Sequence, residues 1–495
     1  MQNSTAPAPS QSQLHWPSLS TFLNLRDPKP KPTLLLYSFL FLSLLSLTLI
    51  LSLSFTSPSP HSGPDPFLHP IFHTHKPSTP SPPSLAYLIS GSHGDSPRIL
   101  RLLRATYHPL NLYLLHLDPS APHADRDHLA LSVQSDPVFK AAQNVHVVGR
   151  PDFAYHKGSS PVSLRLHAAA ILLRLSQNWD WFVSLAADAY PLVTQDDLLH
   201  ILSFLPKDMN FVNHSSYIGW KEAKKLKPII VDPGLYLSEG TEMFYATQKR
   251  ELPSAYRVFT GKSFLMESWD FIHMFLTVPK KSTVGNIKNF VPHCPEALRY
   301  AKAFYGHTKY LSYIEGYRFC FYLLIGSSFS ILSRSFMEFC ILGEDNLPRI
   351  LLMYFANTPS SLSNYFPTVL CNARQFNRTV INQNLLYAIH DSHRNDLRPL
   401  NSTDFDDMIH SGAVFAQKFQ NDDPVLDLID QKLLGRSPRS IVPGGWCLGE
   451  PGNNTCLTWG DAKILRPGTG SQRLEKAIVE LLANGTFRSR QCIYE

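Results

Sequence analysis

Residues Thr33 to Phe55, TLLLYSFLFLSLLSLTLILSLSF, run for 23 positions without a charged side chain. At about 1.5 Å of rise per residue, a helix of that length covers the roughly 30 Å hydrocarbon core of a bilayer. The run exceeds the roughly 7–15 apolar residues of a signal-peptide core, and no A-x-A-like cleavage pattern follows it. A retained transmembrane helix is therefore expected over 33–55, with the lipid bilayer as a partner. Arg26, Lys29 and Lys31 precede the run, and the first positive residue after it is Lys76. Positive charge stays on the cytosolic side, so residues 1–32 read as a cytosolic tail and the rest as luminal, a single-pass type II arrangement.

Residues 56–84 hold nine Pro in 29 positions and show no helical or strand periodicity. Such a stretch favours extended polyproline geometry and cannot build a core, so it reads as a stem. Its His69, His73 and His75 lack the Cys or carboxylate partners of a metal cage. Beyond the stem, Asn213, Asn377, Asn401, Asn453 and Asn484 each open an N-x-S/T sequon and read as surface glycosylation sites. Asn3 opens another, on the cytosolic side. The seven Cys lie where disulfides form, and their odd number leaves at least one free or paired with another chain. Their connectivity stays open.

Composition narrows the class. Hydrophobic residues make up 44% of the chain, which excludes a wholly disordered protein. The 45 Lys and Arg against 39 Asp and Glu leave only +6, spread without a basic stripe, so nucleic acid is not an expected partner.

From Leu85 a strand–helix rhythm begins. LAYLIS (85–90) reads as a strand ending at Gly91, and Ser96-Pro97 opens a helix. NLYLLHLD (111–118) and VHVVG (145–149) are the next strands. Ser160-Pro161 opens a second helix, LRLHAAAILLRL, apolar nearly all round and so expected to be buried. WFVSLAAD (181–188) is a fourth strand. This alternation predicts an α/β domain with a largely parallel sheet. Ligands of open α/β sheets bind beyond the carboxyl ends of the strands. Gly91, Asp118 and Asp188 lie at such ends, where glycine admits close backbone approach and a carboxylate can accept from a ribose or base. The glycines match neither G-x-G-x-x-G nor a P-loop, which leaves a nucleotide sugar as the ligand these ends suit.

A longer series of blocks makes a specific resemblance. LAYLISGSHGDSPRILRLLRATYHPLNLYLLHLD, NWDWFVSLAADAYPLVTQDDLL, VDPGLYLS, ELPSAYRVFTG, LSRSFMEFC, DNLPRILLMYFAN and FAQKF occur in this order. Together they resemble the plant branch of the core-2/I-branching glycosyltransferases, which includes β-glucuronosyltransferases acting on arabinogalactan proteins. The likeness runs from about Leu85 to Leu434. It implies a modified GT-A-type α/β fold over residues 85–495, a Golgi type II enzyme, and inverting transfer from a UDP-sugar to a glycan or glycoprotein acceptor. Glucuronate as donor sugar and a β-galactan acceptor are expected; UDP-N-acetylglucosamine, UDP-xylose or an inactive carbohydrate-binding relative are the alternatives. No cofactor and no metal are implied, because two basic side chains replace the cation of the D-x-D motif. Arg398 and Lys418 match those positions, and fixed cations can stabilise a leaving diphosphate as a metal would. Asp125-Arg126-Asp127 and Asp404-Phe405-Asp406 match D-x-D in letters but not in strand-end context. Asp118 matches the acid that contacts uracil or ribose, Gly91 lies in the nucleotide loop, and Trp220 resembles an acceptor-side aromatic. Lys249 and Arg250 are candidates to meet a glucuronate carboxylate.

Three departures from the family pattern bear on activity. The turn after the fourth strand is Asp188-Ala189-Tyr190-Pro191, where relatives have Ser-Asp-Tyr-Pro, so the acid is shifted by one residue. The segment matching the family's base glutamate, Ser360 to Pro367, has no carboxylate, and Glu344 and Asp345 are the nearest substitutes. Finally, residues 262–327 form an insert that separates the FTG block from LSRSF.

Overall fold

The computed structural model describes residues 81–215, 220–236, 243–254, 256–260, 328–391, 396–437, 440–449, 455–483 and 492. Contacts divide the chain after Pro66, and every described residue belongs to the unit Phe67–Glu495. The expected anchor at 33–55, the stem up to residue 80 and the insert at 262–327 lie outside the described residues. Among the described residues, no helix is long and apolar enough to cross a membrane.

Among the described residues, fourteen strands follow in chain order. They are β1 (Leu85–Gly91), β2 (Leu112–Leu117), β3 (Val145–Val147), β4 (Trp181–Ala186), β5 (Ala189–Pro191), β6 (Asn210–Val212) and β7 (Pro228–Val231). Then come β8 (Phe244–Lys249), β9 (Ser330–Ser333), β10 (Val380–Ile381), β11 (Leu386–Tyr387), β12 (His390–Asp391), β13 (Asp396–Leu397) and β14 (Phe415–Gln417). Seven of them form the main sheet, in the order β10-β6-β9-β4-β1-β2-β3. All its pairings are parallel except those of β9, which runs antiparallel between β4 and β6. The largely parallel sheet expected from the strand–helix rhythm is therefore present.

Side chains alternate across β1, and the two sets enter different cores. Leu85, Tyr87 and Ile89 join the cluster that includes Ile99, Leu102, Leu199 and Ile478. Ala86 and Leu88 join the one that includes Leu172, Phe336, Phe355 and Val369. A strand buried on both faces reads as a continuous apolar run, as LAYLIS does. Each fully buried Leu, Ile or Phe contributes about 1.5–3 kcal/mol.

The helices start near the expected places. Ser96–Ala105 begins at Ser96 with Asp95 in the cap position, one residue earlier than a Ser96 cap would put it. Ser160–Leu175 has an outer anchor: Asp232, in the Val-Asp-Pro-Gly turn, is buried and accepts from the Ser159 and Ser160 amides at 2.7 Å each. Its other oxygen accepts from the Gly234 amide at 2.9 Å. A Cβ on Gly158 would lie 1.9 Å from Asp232 Oδ2, so this approach requires glycine. Asp232→Ala should strip the amides of their acceptor inside the protein and cost about 2 kcal/mol or more. Urea unfolding would measure that loss, and a cost under about 0.5 kcal/mol would contradict the capping role.

The C-terminal region is held to the core by acids of the Gln-Asp-Asp helix start, Gln195–Leu202. Asp196 Oδ2 accepts from the amides of Gly445 (2.7 Å) and Arg466 (2.6 Å), and Asp197 Oδ1 from that of Gly468 (2.6 Å). Disulfides join Cys371 to Cys492 and Cys447 to Cys456. Cys340 is a free, half-buried thiol whose pKa burial raises. Cys294 and Cys320 fall outside the described residues.

Candidate active site

In the register of the sheet, Ser90 lies opposite both His116 on β2 and Ala186 on β4, so the carboxyl ends of β1, β2 and β4 finish level. A cleft of about 440 Å³ opens there, lined by Gly91, Asp118, Asp188 and Lys418 among others. That volume is in the range of small-molecule sites. Four residues predicted from sequence as donor contacts are thus brought together, although Lys418 lies far along the chain from Gly91, Asp118 and Asp188.

The β1 end is shaped by Gly91. A Cβ there would stand 2.7 Å from Asp95 Cβ and 3.2 Å from Ala187 Cβ. Only glycine lets the loop fold this closely and leaves its backbone open to the cleft. The Gly91 carbonyl accepts from the Asp118 amide at 2.9 Å, which ties the ends of β1 and β2. Asp118 Oδ1 accepts from the Ser120 amide (3.0 Å) and from the Ser120 hydroxyl. The carboxylate is held by its own turn while still facing the cleft.

Asp188 sits between β4 and β5, where the short sheet β11-β14-β5 meets the main one. Its carbonyl accepts from the Phe419 amide at 2.9 Å, and its Oδ1 accepts from Gln417 Nε2 at 2.9 Å. Burial raises its pKa; the Gln417 hydrogen bond and the charges of Arg98 and Lys418 oppose that rise. The shift of one residue relative to the family pattern therefore does not remove this acid from the cleft, because the turn presents it beside β14.

His116 is buried on the cleft wall, two residues before Asp118. The Asp152 amide donates to its Nε2 at 3.0 Å, so the ring proton sits on Nδ1, which has no hydrogen-bond partner among the described residues. Burial lowers its pKa to about 4. Buried His108, whose Nδ1 accepts from the Leu110 amide at 3.2 Å, is lowered to about 3 by the same cause. Both imidazoles are neutral in the fold, whereas the unfolded chain takes up protons near pH 6.5. Each therefore withdraws stability as pH falls below about 6.5, by up to about 1.4 kcal/mol per unit, until its folded pKa is reached. Asp188 and Asp196, with raised carboxyl pKa values, act in the opposite sense. Unfolding at pH 7 and pH 5 should thus show a shallower acid loss in His108→Gln than in the wild type. Equal losses would contradict the buried neutral imidazole.

Other expectations are corrected by the structure. Glu344 and Asp345 are exposed and do not line the cleft. Asp345 Oδ1 accepts from the Leu347 amide at 2.8 Å, at the start of the helix Leu347–Phe355, whose cap position is Asn346. Helix starts favour acids for this reason, and these two carboxylates are not placed to receive a proton from a cleft ligand. Ser363 and Asn364 are buried within the helix Leu362–Asn372. Arg398 does not line the cleft either. It forms a two-pronged pair with Asp404, at 2.6 and 3.2 Å. That pair also explains Asp404-Phe405-Asp406 as a structural start, and Asp125-Arg126-Asp127 lies in the helix His123–Ser135. Exposed Lys249 and half-buried Arg250 stay outside the cleft, Arg250 stacking 4.0 Å above the Tyr354 ring. Asn213 is buried in the cleft wall, which removes it as a surface glycosylation site; Asn377 is half-buried and Asn401 exposed. Asn453 and Asn484 lie outside the described residues, as does the side chain of Trp220, whose backbone opens the helix Trp220–Leu226.

Sequence reasoning missed Arg98, His116 and Gln417 in the cleft. His116 was within reach of pattern alone, since side chains two apart on a strand share a face. Gln417 required knowing that β14 pairs with β5.

Similarity to known proteins agrees with a sugar-transfer cleft of this kind. The Core-2/I-Branching enzyme family matches residues 85–304 and 293–407, and the chain belongs to that family of glycosyltransferases. It is 40% identical over 418 residues to beta-glucuronosyltransferase GlcAT14A of Arabidopsis thaliana, covering 84% of this chain and 79% of that protein. To GlcAT14B of the same plant it is 41% identical over 411 residues, 82% of this chain and 80% of that one. A more distant relative is xylosyltransferase 1 of Rattus norvegicus, 26% identical over 212 residues, 43% of this chain and 24% of that protein.

Proposed function

We propose that the chain is an inverting, GT-A-type glucuronosyltransferase that moves glucuronate from UDP-glucuronate to a β-galactan of arabinogalactan protein. The observation that carries this reading is the 40% identity to a beta-glucuronosyltransferase across 84% of the chain. Distant likeness to a xylosyltransferase and a beta-1,6-N-acetylglucosaminyltransferase makes UDP-xylose and UDP-N-acetylglucosamine the donors to compete against it. In this reading uridine lies toward Asp118, the diphosphate passes the Gly91 loop toward Lys418, and the sugar lies near Asp188.

Asp188 is the general base. Asp118 lies at the nucleoside end of the cleft in this reading, and both oxygens of Asp95 are engaged, with Ser92 and Arg98. Asp188, half-buried with a raised pKa, is the cleft acid best suited to accept a proton. The acceptor hydroxyl oxygen attacks the anomeric carbon as its proton passes to the Asp188 carboxylate. The bond from that carbon to the UDP oxygen breaks on the opposite face, and UDP departs with the electron pair. Lys418 supplies positive charge to the leaving diphosphate.

Metal independence is part of the proposal. It rests on Lys418 supplying the positive charge that a bound cation would otherwise give the leaving diphosphate. The type II Golgi setting is also proposed, on the apolar segment at 33–55 and its flanking charges.

Full-length protein in detergent, offered UDP-glucuronate, UDP-xylose and UDP-N-acetylglucosamine with galactan, tests the function. UDP-glucuronate should turn over fastest, with a rate unchanged by a chelator. No transfer from any donor would favour the inactive carbohydrate-binding reading, which the carboxylate-free Ser360–Pro367 segment motivates. Loss with a chelator and rescue by manganese would contradict metal independence. Glycan addition at exposed Asn401 tests the luminal placement.

A further inference from the structure

We propose that Arg98 is a donor-binding residue of the cleft, which with Lys418 holds the diphosphate of the nucleotide sugar. The inference rests on the reading of this cleft as the nucleotide-sugar site and adds a cation that the family resemblance did not supply. Arg98 lines the cleft and stands in the first turn of the helix Ser96–Ala105, directly after the Gly91 loop. Its guanidinium is fixed from two sides. Nη1 donates to Asp95 Oδ1 at 3.1 Å and Nη2 to the Phe419 carbonyl at 2.8 Å. Both partners are themselves held: Asp95 Oδ2 accepts from the Ser92 amide (2.9 Å) and hydroxyl (3.0 Å), and the Phe419 amide donates to the Asp188 carbonyl (2.9 Å).

A guanidinium carries five N–H donors in a rigid fork. The remaining donors of Arg98 have no partner among the described residues. Because the side chain bonds to the carbonyl of the residue that follows Lys418, the two cations line the same cleft, beside Asp188, which Gln417 and Phe419 also contact. Arg398, by contrast, spends its fork on Asp404 and stands outside the cleft lining. A dianionic diphosphate entering beside Asp95, Asp118 and Asp188 needs more than one positive charge close by. A planar fork matched to phosphate oxygens supplies what a point charge on Lys418 does not.

Calorimetric titration of the full-length chain with UDP reads this directly, alongside KM values for UDP-glucuronate and UDP-xylose. A wild type that binds no UDP would defeat the proposed function itself, before Arg98 is tested. Given wild-type binding, Arg98→Gln should weaken UDP by about 10–100-fold, the range for a lost charged hydrogen bond, with Arg98→Lys recovering part. Asp95→Asn separates ligand binding from loop bracing: it should leave UDP affinity within about threefold or improve it, since it releases the guanidinium. Unchanged UDP affinity in Arg98→Gln would overturn the proposal. So would an equal loss in Asp95→Asn, which would make Arg98 a brace. A rise in KM for UDP-glucuronate alone, with UDP and UDP-xylose unaffected, would also overturn it, by assigning Arg98 to the sugar carboxylate.

Discussion

Asp188→Asn is expected to lower kcat by about 10²–10⁴-fold while UDP affinity stays within about threefold. The amide keeps the size of the side chain but cannot take a proton from the acceptor hydroxyl. Gln417 can still meet it after a flip, so the turn and the β14–β5 pairing should survive. The pH profile supplies a second readout. The carboxylate must be ionised to act, so activity falls as pH drops through its pKa. Because burial raises that pKa, the acidic limb of kcat/KM should lie above that of an ordinary carboxylate. Removing the opposing Gln417 hydrogen bond, by Gln417→Ala, should move the limb higher still. An Asp188→Asn variant with near-normal kcat and a raised KM would make the residue a substrate contact and leave the base unassigned.

The second large effect is on stability. Asp430, on the helix Pro424–Lys432, is fully buried and meets two arginines. Arg436 Nε donates to Oδ1 at 2.7 Å and Arg101 Nη2 to Oδ2 at 2.8 Å. The Tyr190 hydroxyl adds a third donor to Oδ1 at 2.7 Å and in turn accepts from Arg436 and Arg101. Asp430→Ala leaves the buried Arg436 guanidinium without its anion, while half-buried Arg101 keeps Asp427, and should cost about 3–5 kcal/mol. Tyr190 belongs to the Asp188-Ala189-Tyr190-Pro191 turn, so the same variant should also loosen the cleft acid. Denaturant unfolding checks the first effect, and a loss below about 1 kcal/mol would contradict a closed buried network.

How far sequence alone reached follows from the range of the interactions involved. Strands β1, β2 and β4 were legible because two-sided burial writes itself as apolar runs, β3, half-buried at the sheet edge, from its short Val-rich run, and Gly91, Asp118 and Asp188 followed from the strand-end rule. The helix Ser160–Leu175 was legible from Ser-Pro, but not its Asp232 anchor, which comes from 72 residues away. Glu344 and Asp345 were misplaced because closeness in sequence to the missing base says nothing about closeness in space. Arg398 matched a family position, yet its pairing with Asp404 depends on a local turn that a motif does not encode. Arg98 went unnoticed for a related reason: its importance rests on the Phe419 carbonyl, 321 residues later.

A structure of the full-length protein with bound UDP is the most direct check on the whole picture. Uracil and ribose should lie beside Asp118, with the diphosphate between the Gly91 loop and Lys418. Nucleotide found at any other surface, with this cleft left empty at saturating UDP, would contradict it.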